Sequence, residues 1–182
     1  MLQTEEEYRA IIGRCRALFR KKTLDYGSAW RILRLPSITD QIYIKAGRIR
    51  TIQEKGTQRV EDDIRGEFVG IINYCVMALI QMRLPADAPL EMPADELDEL
   101  YAAETEKTIS LLLDKNHDYG EAWRQMRISS ITDIILMKLL RIKQIEDNAG
   151  LTLVSEGVDA GYRDMINYAV FCLILDESKS KA

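Results

Sequence analysis

The sequence predicts an all-α protein, a helical bundle built from two pseudo-twofold-related repeats of three to four helices each. Three observations predict it. Shifting the 182-residue chain by 93 positions lays Asp25-Tyr26-Gly27-Ser28-Ala29-Trp30-Arg31 over Asp118-Tyr119-Gly120-Glu121-Ala122-Trp123-Arg124, and 15 of 25 positions are identical between 25–49 and 118–142. Apolar residues recur at intervals of three and four, the amphipathic helical period. No stretch alternates at a period of two between turn residues, so no sheet is expected. The repeat of roughly ninety residues is far longer than a solenoid unit. Its two copies, 1–88 and 89–182, are expected to pack as one unit, because each is small and buries little surface alone.

The elements follow in order. Tyr8, Ile11, Ile12, Cys15, Leu18 and Phe19 form the stripe of a first helix that should end near the Asp-Tyr-Gly turn, and Leu100, Tyr101, Ile109, Leu112 and Leu113 repeat it. A short helical segment should carry Ser28 to Leu33. Ser37-Ile38-Thr39-Asp40 and Ser130-Ile131-Thr132-Asp133 supply N-cap-type residues for second helices reaching about Glu54 and Asp147. Gly56 and Gly150 punctuate the next loops, and third helices take Val60 to Arg83 and Glu156 to Asp176. Pro85, Pro89 and Pro93 mark the connection between the copies.

Composition bounds the function. The chain is 47% hydrophobic and 30% charged, with no run of 18 or more apolar residues, so it is expected to be globular rather than disordered or membrane-spanning. Met1 to Glu7 starts acidic and polar, unlike a secretory signal, and a cytoplasmic protein is expected. Net charge is −4 with the signs mixed throughout, so free duplex DNA is not an expected partner. Cys15, Cys75 and Cys172 lie far apart among apolar residues and read as buried, reduced thiols. His117 is the only histidine, so a metal site would need oxygen ligands, and nucleophilic catalysis is discounted.

On the second helix Ile38, Ile42, Lys45 and Ile49 fall at i, i+4, i+7 and i+11, and Ile131, Ile135, Lys138 and Ile142 repeat the pattern. A lysine within about 60° of an isoleucine stripe either carries its ammonium out to water or waits, half-buried, for a carboxylate or phosphate. Its presence in both copies, while Tyr43/Leu136 and Ala46/Leu139 have drifted, favours the second. Arg48 and Arg141 lie one turn along and can share that anion. The third helix of the second half carries Glu156, Asp159, Asp164 and Asn167, oxygen ligands that suit Mg²⁺ together with substrate phosphates. The first half offers Asp62 and Asn73 in matching places, with Asp63 and Glu67 as a displaced pair, but Gly70 stands where Asp164 stands. Acidic residues near a helix start are also favoured by the macrodipole alone. Asp25, Tyr26, Asp118 and Tyr119, beside Trp30 and Trp123, make either a capped turn over a core or a platform for a nucleotide base.

Lys-x-x-Asp-Tyr-Gly, then Lys-x-x-Arg-Ile, then a helix carrying Asn-Tyr, which the second half precedes with Asp-x-x, resembles the nucleotide modification associated domain 1 family, once per half. That resemblance implies a role in nucleotide or DNA-base modification. Where the family has Asp directly before Lys-x-x-Arg this chain has Ile44 and Met137, and Ala160 stands at the middle acidic position. The acidic helix is also similar, more distantly, to the all-α nucleoside triphosphate pyrophosphohydrolases of MazG and dimeric dUTPase type. The reading is a nucleotide-binding protein, with Mg²⁺-dependent phosphohydrolysis or pyrophosphohydrolysis at Glu156, Asp159 and Asp164 as its catalytic form. A non-catalytic nucleotide-binding module and a helical protein–protein adaptor are the alternatives, and a homo-oligomer stays open.

Overall fold

The computed structural model describes residues 2–56, 63–150 and 157–181, with side chains except at 2, 117–119 and 181. The protein is all-α. Its helices are α1 (Leu2–Tyr26), α2 (Leu35–Lys55), α3 (Ile64–Arg83), α4 (Ala94–Tyr119), α5 (Ile128–Asp147) and α6 (Val158–Lys181), with 3-10 turns at Ala29–Ile32 and Ala122–Gln125. Helix α1 stops where Gly27 turns left-handed, at φ +65°, and α4 stops in the same way at Gly120, φ +66°.

Helix starts differ from the capping reading. α2 begins at Leu35 and α5 at Ile128, two residues before the expected serines, with Arg34 and Arg127 as N-caps that make no side-chain capping bond. Pro36 in the first turn of α2 has its φ preset and lacks an N–H, so that start does not need a serine cap. The expected start of α3 at Val60 falls outside the described residues. Asp63 is extended and its carboxylate accepts from the Arg65 N–H, so α3 starts after it. α6 begins at Val158 and runs to Lys181, past the expected end at Asp176.

Each helix packs on its own counterpart: α3 on α6, α2 on α5, α1 on α4. The centre is the α3–α6 seam, where Ile71, Ile72, Cys75 and Val76 meet Met165, Ile166, Ala169 and Val170 with no exposure. α3 is long and apolar enough to cross a membrane by length and mean hydropathy, 20 residues at 1.2. It carries that hydropathy because α2 and α6 cover it from two sides. All three cysteines are buried and unpaired, and burial pushes the Cys15 thiol up to about 12 and the other two higher.

The first helices cross over: α1 also packs on α6, and α4 on α3. This exchange carries a symmetric pair of buried hydrogen bonds. Tyr8 of the first copy donates to Asn167 Oδ1 of the second at 2.7 Å, and Tyr101 of the second donates to Asn73 Oδ1 of the first at 2.8 Å. Burial holds both phenols well above their ordinary pKa, so they stay protonated donors. A second pair joins α2 to α5. Thr39 donates to Glu146 at 2.7 Å, and Gln53, the counterpart of Glu146, donates to Thr132, the counterpart of Thr39, at 3.1 Å.

The repeated arginines of the turns also reach across. Arg31 is buried, bonded to Gln81 and to the Ala88 and Pro89 carbonyls of the connection that leads into α4. Arg124 bonds Thr4 and Glu7 at the start of α1, each at 2.7 Å. Each turn therefore clamps the chain that opens the other copy's first helix.

Tyr8→Phe and Tyr101→Phe should each destabilise the protein by about 1–3 kcal/mol in urea unfolding, because each leaves a buried carboxamide oxygen without its donor. Values near zero for both would mean that the crossed bonds contribute nothing. Burial raises the Glu146 carboxyl above its ordinary pKa, so the folded state binds more protons there than the unfolded chain and stability falls as pH rises from about 4.5. Glu146→Gln should therefore raise the melting temperature at pH 7, and the gain should vanish at pH 4.

Candidate functional site

A cleft of about 280 Å³ opens in the first half between α1, the 29–32 turn, α2 and α3. Two helical faces line it. Leu18, Lys22 and Tyr26 recur every four residues on α1, as do Gly66, Gly70 and Tyr74 on α3. Phe19 and Thr23 on α1, and Val69, Asn73 and Met77 on α3, widen those faces, and Trp30 and Lys45 come from the turn and α2.

The floor is bare helix. At Gly70 a Cβ would sit 2.7 Å from Lys45 Cε and 2.8 Å from Cδ, so the lysine stem lies directly across the glycine. From there the Lys45 ammonium reaches Glu67 at 3.4 Å and stands 5.8 Å from the Tyr74 ring centroid. Arg48 shares Glu67, which is buried. Phe19 packs tilted against Trp30, with centroids 6.3 Å apart, and the buried indole nitrogen of Trp30 meets no acceptor. Tyr26 stands exposed at the rim. The cleft thus combines ammonium groups, aromatic surfaces and a glycine floor crossed by the Lys45 stem.

The second half carries the same lysines in different company. Lys138 and Lys115, counterparts of Lys45 and Lys22, lie 2.8 and 3.3 Å from the two oxygens of Asp164, which replaces Gly70. Trp123, counterpart of Trp30, stacks flush on Phe171, with centroids 4.2 Å apart and planes at 6°, and Phe171 replaces Met77. The Arg124 guanidinium stands over the same indole at 4.5 Å.

Tyr26, Lys45 and Asn73 come together in the cleft, and Arg48 stands one turn behind them on Glu67. Asp25 is exposed at the end of α1, outside the cleft lining. Asn73 and Asn167 spend their carboxamide oxygens on the crossed tyrosines, and Asn73 also donates to the Cys15 carbonyl at 3.2 Å. In the second half Lys138 and Asp164 meet, whereas Arg141 is exposed. The side chains of Asp118 and Tyr119, and the whole of Asp62 and Glu156, lie outside the described residues.

Among the described residues the acidic side chains do not gather. Asp159, five residues before Asp164 and so about 140° around α6, opens instead on a groove with Glu104 and Arg163. Asp63 caps α3, Glu67 serves Lys45 and Arg48, and Asp164 serves two lysines. Among the described residues no three His, Cys, Asp or Glu side chains form a group able to hold a metal. Wider grooves of about 660 and 450 Å³ contain the ion pairs of Arg65 with Asp176 and of Arg83 and Arg163 with Glu104.

Sequence reasoning passed over Lys22, Gly70, Tyr74 and Met77 as site residues. Lys22 had a signal in its repetition as Lys115. Gly70 had one only as the odd partner of Asp164, and its meaning depends on the lysine lying across it.

The chain belongs to the nucleotide modification associated domain 1 family, whose sequence model matches residues 22–82 and again 115–175. Each match begins on a lysine, Lys22 of the cleft or its counterpart Lys115, and runs through the turn and the second and third helices. No curated protein and no solved structure matches the chain.

Glu67→Gln should destabilise the protein by about 1–3 kcal/mol, since it removes a buried carboxylate from two cations. Asp164→Asn should cost less, within about 1 kcal/mol, because its pairs are more open to solvent. Equal losses in chemical denaturation would contradict this ordering.

Proposed function

We propose that the first-half cleft binds a nucleotide, the base against its aromatic lining and the phosphate on Lys22 and Lys45. The observation that carries this reading is the pairing of two lysines with Tyr26, Trp30 and Tyr74 around a glycine floor in one cleft. Aromatic faces accept any base by stacking, and ammonium groups make charge-assisted bonds to phosphate oxygens. A volume of about 280 Å³ lies just below the ~300–1,000 Å³ range of such sites and suits a small ligand. The family's association with nucleotide modification supports the same class of ligand.

In this reading Mg²⁺ arrives as the counter-ion of the phosphates. Hydrolysis would require a metal-bound water held by carboxylates. Of the residues expected to hold it, Asp164 is engaged by two lysines and Asp159 faces a different groove, so binding is the activity proposed and turnover is the alternative, read from release of phosphate or pyrophosphate.

A thermal-shift panel of nucleosides and their mono-, di- and triphosphates, with and without Mg²⁺, tests the reading. Phosphorylated ligands should stabilise the protein and quench Trp30 fluorescence, and Trp30→Phe should remove the quench. Lys45→Ala should weaken a nucleoside monophosphate about tenfold, the ~1.4 kcal/mol expected of one charge-assisted bond, and leave the nucleoside nearly unchanged. Equal loss for both, or no shift with any nucleotide, would overturn the proposal. Release of phosphate or pyrophosphate that needs Mg²⁺ and is lost in Asp164→Ala would establish the hydrolase instead.

A further inference from the structure

We propose that the second copy of the site is occupied by its own side chains, so that the chain takes a single anionic ligand, a phosphate monoester, and takes it in the first-half cleft. The inference rests on the binding reading above and adds which copy works and what closes the other.

Two independent substitutions between the copies point the same way. Where the first copy has Gly70, the second has Asp164, whose carboxylate sits 2.8 Å from Lys138 and 3.3 Å from Lys115. A carboxylate there does what a bound phosphate oxygen would do, and it is tethered, so its effective concentration excludes a dissolved competitor of similar charge. Where the first copy has Met77, the second has Phe171, which covers the face of Trp123 at 4.2 Å in a parallel stack. That is the contact a base would make. One side chain replaces the anion and the other replaces the ring.

The first copy has Gly70 and Met77 in those two places, and its carboxylate comes instead from Glu67, which is divided between Lys45 and Arg48. Lys22 and Lys45 line one cleft, and Glu67 lies 3.4 Å from Lys45. Trp30 lies tilted against Phe19 and lines the opening. The nearest atoms to a Cβ added at Gly70 are the stem and ammonium of Lys45. The room that Asp164 fills in one copy is therefore occupied in the other by a flexible lysine that can move aside.

Titration calorimetry of the full chain with inorganic phosphate and with nucleoside 5′-monophosphates tests this. The wild type should bind one ligand per chain. Gly70→Asp should weaken both probes at least about tenfold, while Gly70→Asn, of equal size and no charge, should weaken them about threefold or less. Asp164→Gly should raise the stoichiometry for inorganic phosphate to two. Circular dichroism identifies a variant that fails to fold, and the other copy's variant then decides. Two phosphates per wild-type chain, or Gly70→Asp binding like wild type, would overturn the inference and leave the nucleotide reading standing. The expected pattern with phosphate, but no gain from any nucleoside, would overturn the nucleotide reading and leave the single anion site. Binding of neither probe would overturn both.

Discussion

Everything in this protein depends on the burial of α3 against α6. α3 is the most apolar helix of the first copy, α6 is buried along most of 162–174, and neither copy alone has enough surface to cover them, so each covers the other. The seam is closed to water by isoleucine and valine, with Cys75 and Ala169 as the small residues that share it. Once the seam exists, α2 and α5 are brought side by side, and the first helices lie across it onto the opposite copy. The crossed tyrosine–asparagine bonds follow from that exchange, because each asparagine sits beside the tyrosine of the other copy.

The duplication supplies the same constraint twice, which is why its polar contacts come in pairs. Thr39 with Glu146 and Gln53 with Thr132 are one contact made twice, with an acid in one copy and an amide in the other. The arginines that close the two turns reach the entry of the opposite first helix in both cases, although one grips carbonyls of the connection and the other a threonine and a glutamate. A single scaffold thus tolerates different partners where the role is only to be satisfied.

At the lysines the copies part. One pair closes on Asp164, and the other borders a cleft floored by Gly70. Charges a few ångströms apart neutralise each other locally, so Asp164 matches both lysines of its copy, whereas in the first copy Glu67 matches Lys45 and Arg48.

The sequence by itself determined the all-α class, the duplication, the helix ends at Gly27 and Gly120, and the burial of the cysteines and of the isoleucine stripes. These are local: period, turn glycines and residue type set them whatever the helices pack against. It also singled out Lys45 and Lys138 by their place within those stripes. Only the tertiary structure decided what they meet. That Asn73 and Asn167 answer tyrosines, that Asp164 faces lysines while Asp159 turns away, and that Lys22 and Lys45 line one cleft all depend on which helix lies on which, and at what rotation. A helical wheel places a side chain on a face but leaves the neighbouring helix unnamed, and the energy of a charge is set by that neighbour.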